Sequence, residues 1–158
     1  MNAADGDRIS ELDAFFERTA DERLADYVDF LSIPSIGTLS EHNADTRAAA
    51  DFLVERFKEI GFENVEASET GGHPIVYADW MHAEGAPTVL VYAHYDVQPV
   101  DPLDLWNRPP FEPVVANGRI YARGAADDKS HCHMHLWAAR AWLETHGRLP
   151  VNLRIVFE

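Results

Sequence analysis

Apolar residues between Arg8 and Leu31 (Ile9, Leu12, Phe15, Phe16, Leu24, Tyr27, Val28 and Leu31) recur at the helical period, with a break near Thr19-Ala20-Asp21. Ile33-Pro34 ends this segment, because the residue before a proline is pushed out of the helical region. A second helix is predicted from Asn43 to Ile60, with Ala48, Phe52, Val54, Phe57 and Ile60 inward and Gly61 closing it. The pattern then changes to strands: Asn64 to Ser68 alternates, and Pro74 to Asp79 is a second short run. Thr88 to Ala93 is continuously apolar, as a strand covered on both faces would be. Val114-Val115-Ala116 and Arg119-Ile120-Tyr121 flank Asn117-Gly118, a pair suited to the positive φ angles of a tight hairpin turn. Asp128 to Thr145 reads as a helix closed by His146-Gly147, and Val151 to Phe157 as a further buried strand. Helices and strands interleave, so the predicted class is α/β around a central sheet.

No repeat, low-complexity tract or long linker divides the chain, so residues 1–158 are expected to form one unit. With 46% hydrophobic and 25% charged residues it has the profile of a globular domain, and its length suffices to bury roughly 70% of the unfolded surface. No apolar run approaches the roughly 20 residues of a membrane span. Met1 to Asp7 is polar and acidic, without the features of a secretory leader. A lone cysteine, Cys132, excludes an intrachain disulfide framework and fits a reducing compartment, hence a cytoplasmic location. Thirteen basic residues against 27 acidic give a net charge of −14, which disfavours nucleic acid and anionic membrane as partners. Only Lys58 and Lys129 are lysines. The sequence stops at the end of an apolar strand, with the expectation that it is the N-terminal part of something longer.

Chemistry concentrates in two places. The apolar run Val89-Leu90-Val91-Tyr92-Ala93 delivers His94 and, two residues on, Asp96 to its carboxyl end, where ligands collect in α/β folds. A side-chain period of two turns both to the same side. A metal-binding imidazole commonly gives its other ring N–H to a carboxylate. In isolation the pair reads as a loop histidine beside a capping aspartate. The second place is Gly118-Arg119-Ile120-Tyr121-Ala122-Arg123-Gly124-Ala125-Ala126-Asp127-Asp128-Lys129, a strand, a small-residue turn and two adjacent carboxylates opening a helix. Adjacent carboxylates repel unless a cation or a helix N-terminus neutralises them, and helix capping alone would account for one of them. No Gly-x-Gly-x-x-Gly follows a strand, and Cys132 lies inside a predicted helix without a nucleophile turn, so dinucleotide-binding and thiol-hydrolase readings lack support.

Together these residues resemble the M20 family of zinc metallopeptidases, which includes aminoacylases, desuccinylases, carboxypeptidases and dipeptidases. The likeness is densest across Val89 to Lys129 and includes the spacing of the two motifs and the intervening Trp106-x-x-x-Pro110-Phe111. His94-Tyr95-Asp96-Val97-Gln98-Pro99 is most similar to the carnosinase-like dipeptidase branch. The resemblance implies the N-terminal part of a three-layer catalytic domain, a central mixed sheet flanked by helices, without the C-terminal part or the dimerisation and lid domain. It implies His94 as a terminal zinc ligand, Asp96 as the catalytic-site carboxylate orienting it, and Asp127 as the carboxylate bridging two zinc ions. Asp128 and Lys129 complete the motif without being ligands, and the bond between the paired aspartates is cis in the family. The implied reaction is hydrolysis of dipeptides or related small amides by a di-zinc-activated water, with manganese or cobalt also suited to such ligands. A small peptide substrate and a homodimeric full-length parent follow from the same likeness.

The sequence departs from the family in two respects. The adjacent glutamates that act as general base and zinc ligand are not found, and Glu158 matches the strand-end glutamate, not either of them. The polypeptide as given is therefore expected to be inactive; the alternatives are a non-catalytic or interaction module retaining the fold, or a deacylase, desuccinylase or carboxypeptidase of the same family. The second departure is Ser130-His131-Cys132-His133-Met134-His135, where the family often has small residues. His131 and His135 share a helical face and could bind a metal, but packing near the helix start is the expected role of this stretch, with Cys132 a small buried hydrophobe. His42, His73, His82 and His146 are given no role, and Trp137 and Trp142 are expected in the core. The main spatial expectation is that His94, Asp96 and Asp127 converge, with the His94 ring and the Asp127 carboxylate within about 8 Å, since ligand bonds are near 2 Å.

Overall fold

The computed structural model describes residues 3–158; the first two residues of the polar start, read above as lacking a leader, lie outside them. The first helical segment is two helices, α1 (Ala3–Arg18) and α2 (Ala20–Ser32). They divide at Thr19, whose hydroxyl donates back to the Phe15 carbonyl at 2.8 Å. Helix α2 stops ahead of Pro34, where Ile33 takes extended angles, φ −80 and ψ 117. Helix α3 (Asn43–Glu59) follows, and its inward face is set one step round from the expected one. Thr46, Ala49, Ala50, Leu53 and Phe57 are buried at helical spacing, whereas Ala48 is exposed. Alanine fits either face, so its presence does not fix the stripe.

Strands β1 (Glu63–Ser68), β2 (Ile75–Trp80), β3 (Thr88–Ala93) and β6 (Asn152–Phe157) form one mixed sheet in the order β1-β2-β6-β3. The β1/β2 and β2/β6 pairs are antiparallel, and β3 runs parallel to β6. Strands β4 (Val114–Ala116) and β5 (Arg119–Tyr121) make the separate hairpin, with Asn117 and Gly118 at φ 53 and 71, as their residue types predicted. Helix α4 (Lys129–His146) ends at Gly147, a left-handed residue whose N–H caps the Leu143 carbonyl.

Register decides which residues make the core. Val76 pairs with Phe157 and Ala78 with Ile155, while Ala93 and Val91 pair with the same two β6 residues from the other side. This face packs in one cluster with Phe15 of α1, Phe30 of α2, Leu53 and Phe57 of α3, and Leu136 and Trp137 of α4. Trp142 packs at the cluster's edge. The opposite face carries Leu90 and Tyr92, 63% and 60% exposed. The expectation that β3 is covered on both faces is therefore corrected. It is an edge strand on which the described residues pack from one side, and an apolar run alone does not report how many faces are covered.

Beside the core, Asp26 joins three helices. Its carboxylate accepts from Arg56 Nε at 2.7 Å and Trp137 Nε1 at 3.0 Å, and lies 3.3 Å from His133 Nε2. Burial alone would raise the Asp26 carboxyl; the His133, Trp137 and Arg56 contacts outweigh it and hold the group at about 2. A carboxyl held below its unfolded value near 3.9 stabilises the fold fully above that pH and stops doing so as pH falls through its folded value. In urea unfolding between pH 6 and 2, the stability gap between wild type and Asp26→Asn should stay constant down to about pH 4 and then narrow, by up to about 2 kcal/mol.

Candidate metal centre

Strand β3 ends at buried Ala93, and its pairing with β6 continues one step further. Glu158 N–H donates to the Ala93 carbonyl at 3.1 Å, and Tyr95 N–H to the Glu158 carbonyl at 2.7 Å. His94 is thus fixed at the carboxyl end of the sheet. Its Nδ1 lies 2.9 Å from Asp96 Oδ1, and its Nε2 lies 3.2 Å from Asp127 Oδ1. The expected convergence of His94, Asp96 and Asp127 is what the geometry shows, well inside the distance set for it.

Asp96 is held close by its neighbour in space. A Cβ on Gly37 would collide with the Asp96 carboxylate, and Val97 N–H bonds to the Ser35 carbonyl at 2.8 Å, so the segment after α2 braces the His94–Asp96 turn. With Nδ1–H directed at Asp96, the geometry assigns the Nε2 lone pair to the side facing Asp127. A lone pair and a carboxylate at this range repel unless a proton or a cation lies between them. Two donors about 3.2–3.4 Å apart also match two ligands of one tetrahedral ion with bonds of about 2.0–2.1 Å. The donor set, one imidazole and one carboxylate with a second carboxylate behind the ring, suits a divalent cation.

The paired aspartates differ sharply. Asp127 presents a side chain that is 80% exposed, whereas Asp128 is buried and already bonded. Asp128 Oδ2 accepts the His94 backbone N–H at 3.1 Å, and Oδ1 pairs with His131 Nδ1. Asp128 occupies the N-cap position of α4 without capping it, so simple capping does not explain the pair. Among the described residues, His94, Asp127 and Asp128 form the cluster able to share an ion, their donor atoms within 4.8 Å. The peptide bond between the two aspartates is cis, as the resemblance implied, and so is Asp101–Pro102.

His135 is not in that cluster, and His131 is engaged by Asp128. His133 is buried and stacks on Tyr27 with ring centroids 4.7 Å apart. Cys132 is fully buried beneath the site, its thiol donating to the His94 carbonyl at 3.4 Å and pushed up to about 12 by burial, which leaves it no nucleophilic role. His73 and Glu158 line an open cavity of about 570 Å³ beside His94 and Asp96. Glu158 accepts there from the Tyr92 hydroxyl.

Sequence reasoning missed the role of Lys129. Its side chain is completely buried, and Nζ donates to the carbonyls of Phe30 at 2.8 Å and Ile33 at 2.6 Å, at the end of α2. Burial pushes the ammonium down to about 7. The available signal was its rarity: one of two lysines, placed at the head of an apolar helix.

Residues 90–158 match the profile of Peptidase family M20/M25/M40. Over 160 residues the chain is 31% identical to a Cys-Gly metallodipeptidase of Schizosaccharomyces pombe, covering 95% of this chain and 34% of that protein. Among solved structures, an M20 family metallo-carboxypeptidase of Sulfolobus solfataricus superposes with a TM-score of 0.78 at 37% identity, over 87% of this chain and 30% of that one. The di-peptidase Dug1p of Saccharomyces cerevisiae superposes with a TM-score of 0.86 over 94% of this chain and 34% of that one; its 23% identity speaks for the fold alone. The chain thus spans about a third of the length of the first curated relative.

The turn before Asp127 tolerates no side chain at Gly124. Its φ is +82, and a Cβ would stand 2.8 Å from Val97 Cγ1 and 3.3 Å from Lys129 Cδ. Gly124→Ala should therefore lower unfolding stability by about 2 kcal/mol or more, from left-handed strain and overpacking together, as read by chemical denaturation.

Proposed function

The chain belongs to peptidase family M20/M25/M40, and we propose that residues 1–158 supply the His94–Asp96 and Asp127 part of a metal-dependent dipeptidase centre. The observation that carries this reading is the 3.2 Å approach of His94 Nε2 to Asp127 Oδ1, with Asp96 on the opposite ring nitrogen. His94 and Asp127 hold the cation, Asp127 with an exposed carboxylate free to bridge two ions. Asp96 fixes the tautomer and the ring plane, and raises the basicity of the ligating nitrogen. Zinc, two ions in the complete site, is the proposed occupant, with manganese or cobalt compatible. A divalent ion there supplies polarisation of the scissile carbonyl and a water acidic enough to ionise near neutral pH.

The substrate class proposed is the small dipeptide, by likeness to the Cys-Gly metallodipeptidase. Carboxypeptidase action on longer peptides is the second reading, favoured by the 37% identity to the Sulfolobus enzyme. Because the curated relative is about three times longer, the full activity, with its proton-accepting carboxylate, remaining ligands and dimerisation, is proposed for a larger protein of which this chain is the N-terminal portion. A cytoplasmic location is proposed with it, supported by the single buried thiol.

Calorimetric titration of residues 1–158 with zinc should show weak binding, since both Asp128 oxygens are already engaged and two ligands fall short of the usual three, and His94→Ala or Asp127→Ala should abolish it. Binding unchanged in both variants would overturn the proposed site. Asp96→Asn should weaken binding by roughly 10–100-fold, the usual effect of losing a carboxylate behind a ligating histidine. With zinc or manganese added, residues 1–158 should give no turnover of Cys-Gly or β-alanyl-histidine, because general acid–base assistance worth roughly 10²–10⁴-fold is lacking.

A further inference from the structure

Among the described residues the Asp127 side chain meets His94, and it is otherwise open to solvent. Its placement therefore depends on the backbone turn that carries it. That turn has little internal support: Ala125 N–H reaches the Ala122 carbonyl at 3.4 Å, and Ser130 Oγ the Ala126 carbonyl at 3.1 Å. Asp128 accepts the His94 backbone N–H and Arg123 bonds to the Pro110 and Pro99 carbonyls, and the turn's other bonds to the rest of the fold run to α2 and its C-cap. Two residues before Asp127, the Ala125 carbonyl accepts the Tyr27 hydroxyl at 2.8 Å. Two residues after it, the Lys129 ammonium donates to the Phe30 and Ile33 carbonyls and sits 4.8 Å above the Phe30 ring. Tyr27 is itself steadied by stacking on His133 of α4.

We propose that Tyr27 and Lys129 are positioning residues, through which helix α2 brackets Asp127 on both sides and sets the distance between its carboxylate and the His94 imidazole. The proposal deepens the metal-site reading and rests on it. Tyr27→Phe removes one hydroxyl and keeps the ring and its stacking, so it preserves the fold even if Lys129→Met does not. Two readouts separate positioning from general destabilisation: zinc affinity by calorimetry, and the His94 ring nitrogen resonances of the metal-free protein, with Asp127→Asn as the reference for a lost contact. Arg140→Ala, which cuts the Arg140–Glu22 link between α4 and α2 away from the turn, is the control for mere loosening. Tyr27→Phe and Lys129→Met are expected to move the His94 resonances toward those of Asp127→Asn and to weaken zinc binding roughly 10-fold or more, the scale for residues that orient ligands. Arg140→Ala is expected to lower the melting temperature without either effect. His94 resonances and zinc affinity unchanged in Tyr27→Phe would overturn the proposal, as would equal changes in Arg140→Ala. If the wild type binds no zinc while Tyr27→Phe still moves the His94 resonances, the metal reading fails and the positioning role stands.

Discussion

A single buried ammonium ties the molecule together. Lys129 lies wholly inside the protein, and among the described residues no carboxylate bonds to it. A buried charge without compensation is prohibitively costly, and here two of the three ammonium donors are met by main-chain carbonyls at the C-terminal end of α2. Both carbonyls carry the partial negative charge of the helix end, and each also accepts one backbone N–H, Phe30 from Ile33 at 3.4 Å and Ile33 from Ser35 at 2.9 Å. The ammonium takes up the second acceptor site of each carbonyl, so one helix end serves both its own backbone and the buried charge. Because Lys129 is also the first residue of α4, satisfying it joins the end of one helix to the beginning of another.

The candidate metal centre lies against that junction. The Lys129 stem runs across Gly124, where no Cβ fits, and the segment leaving α2 passes Gly37 against the Asp96 carboxylate. One side of the junction thus braces the carboxylate behind His94, and the other carries Asp127 in front of it. The two adjacent aspartates avoid competing because their tasks are separate. Asp128 turns inward to the His94 backbone and to His131, leaving Asp127 as the exposed carboxylate that faces the imidazole. Beneath them, Cys132 contributes packing and a weak bond to the His94 carbonyl.

Much of this was legible in the sequence, because it depended on local rules. The helix break at Thr19, the stop before Pro34, the Asn117-Gly118 turn and the left-handed Gly147 each follow from the conformational preferences of one or two residues. The motif residues were legible for a related reason: a histidine two positions before an aspartate at a strand end has one sensible shared direction, and paired carboxylates at a helix start demand neutralisation. What tertiary structure alone decided involves partners distant along the chain. Ala48 pointing outward, β3 lying at the sheet edge, Asp128 bonding to His94 instead of capping its helix, and Lys129 reaching Phe30 are all choices among locally equivalent options. Residue spacing fixes which side chains share a face, but not what that face meets. Strand order and the burial of one charge settled that, since each depends on which surfaces and which unpaired polar groups packing brings together.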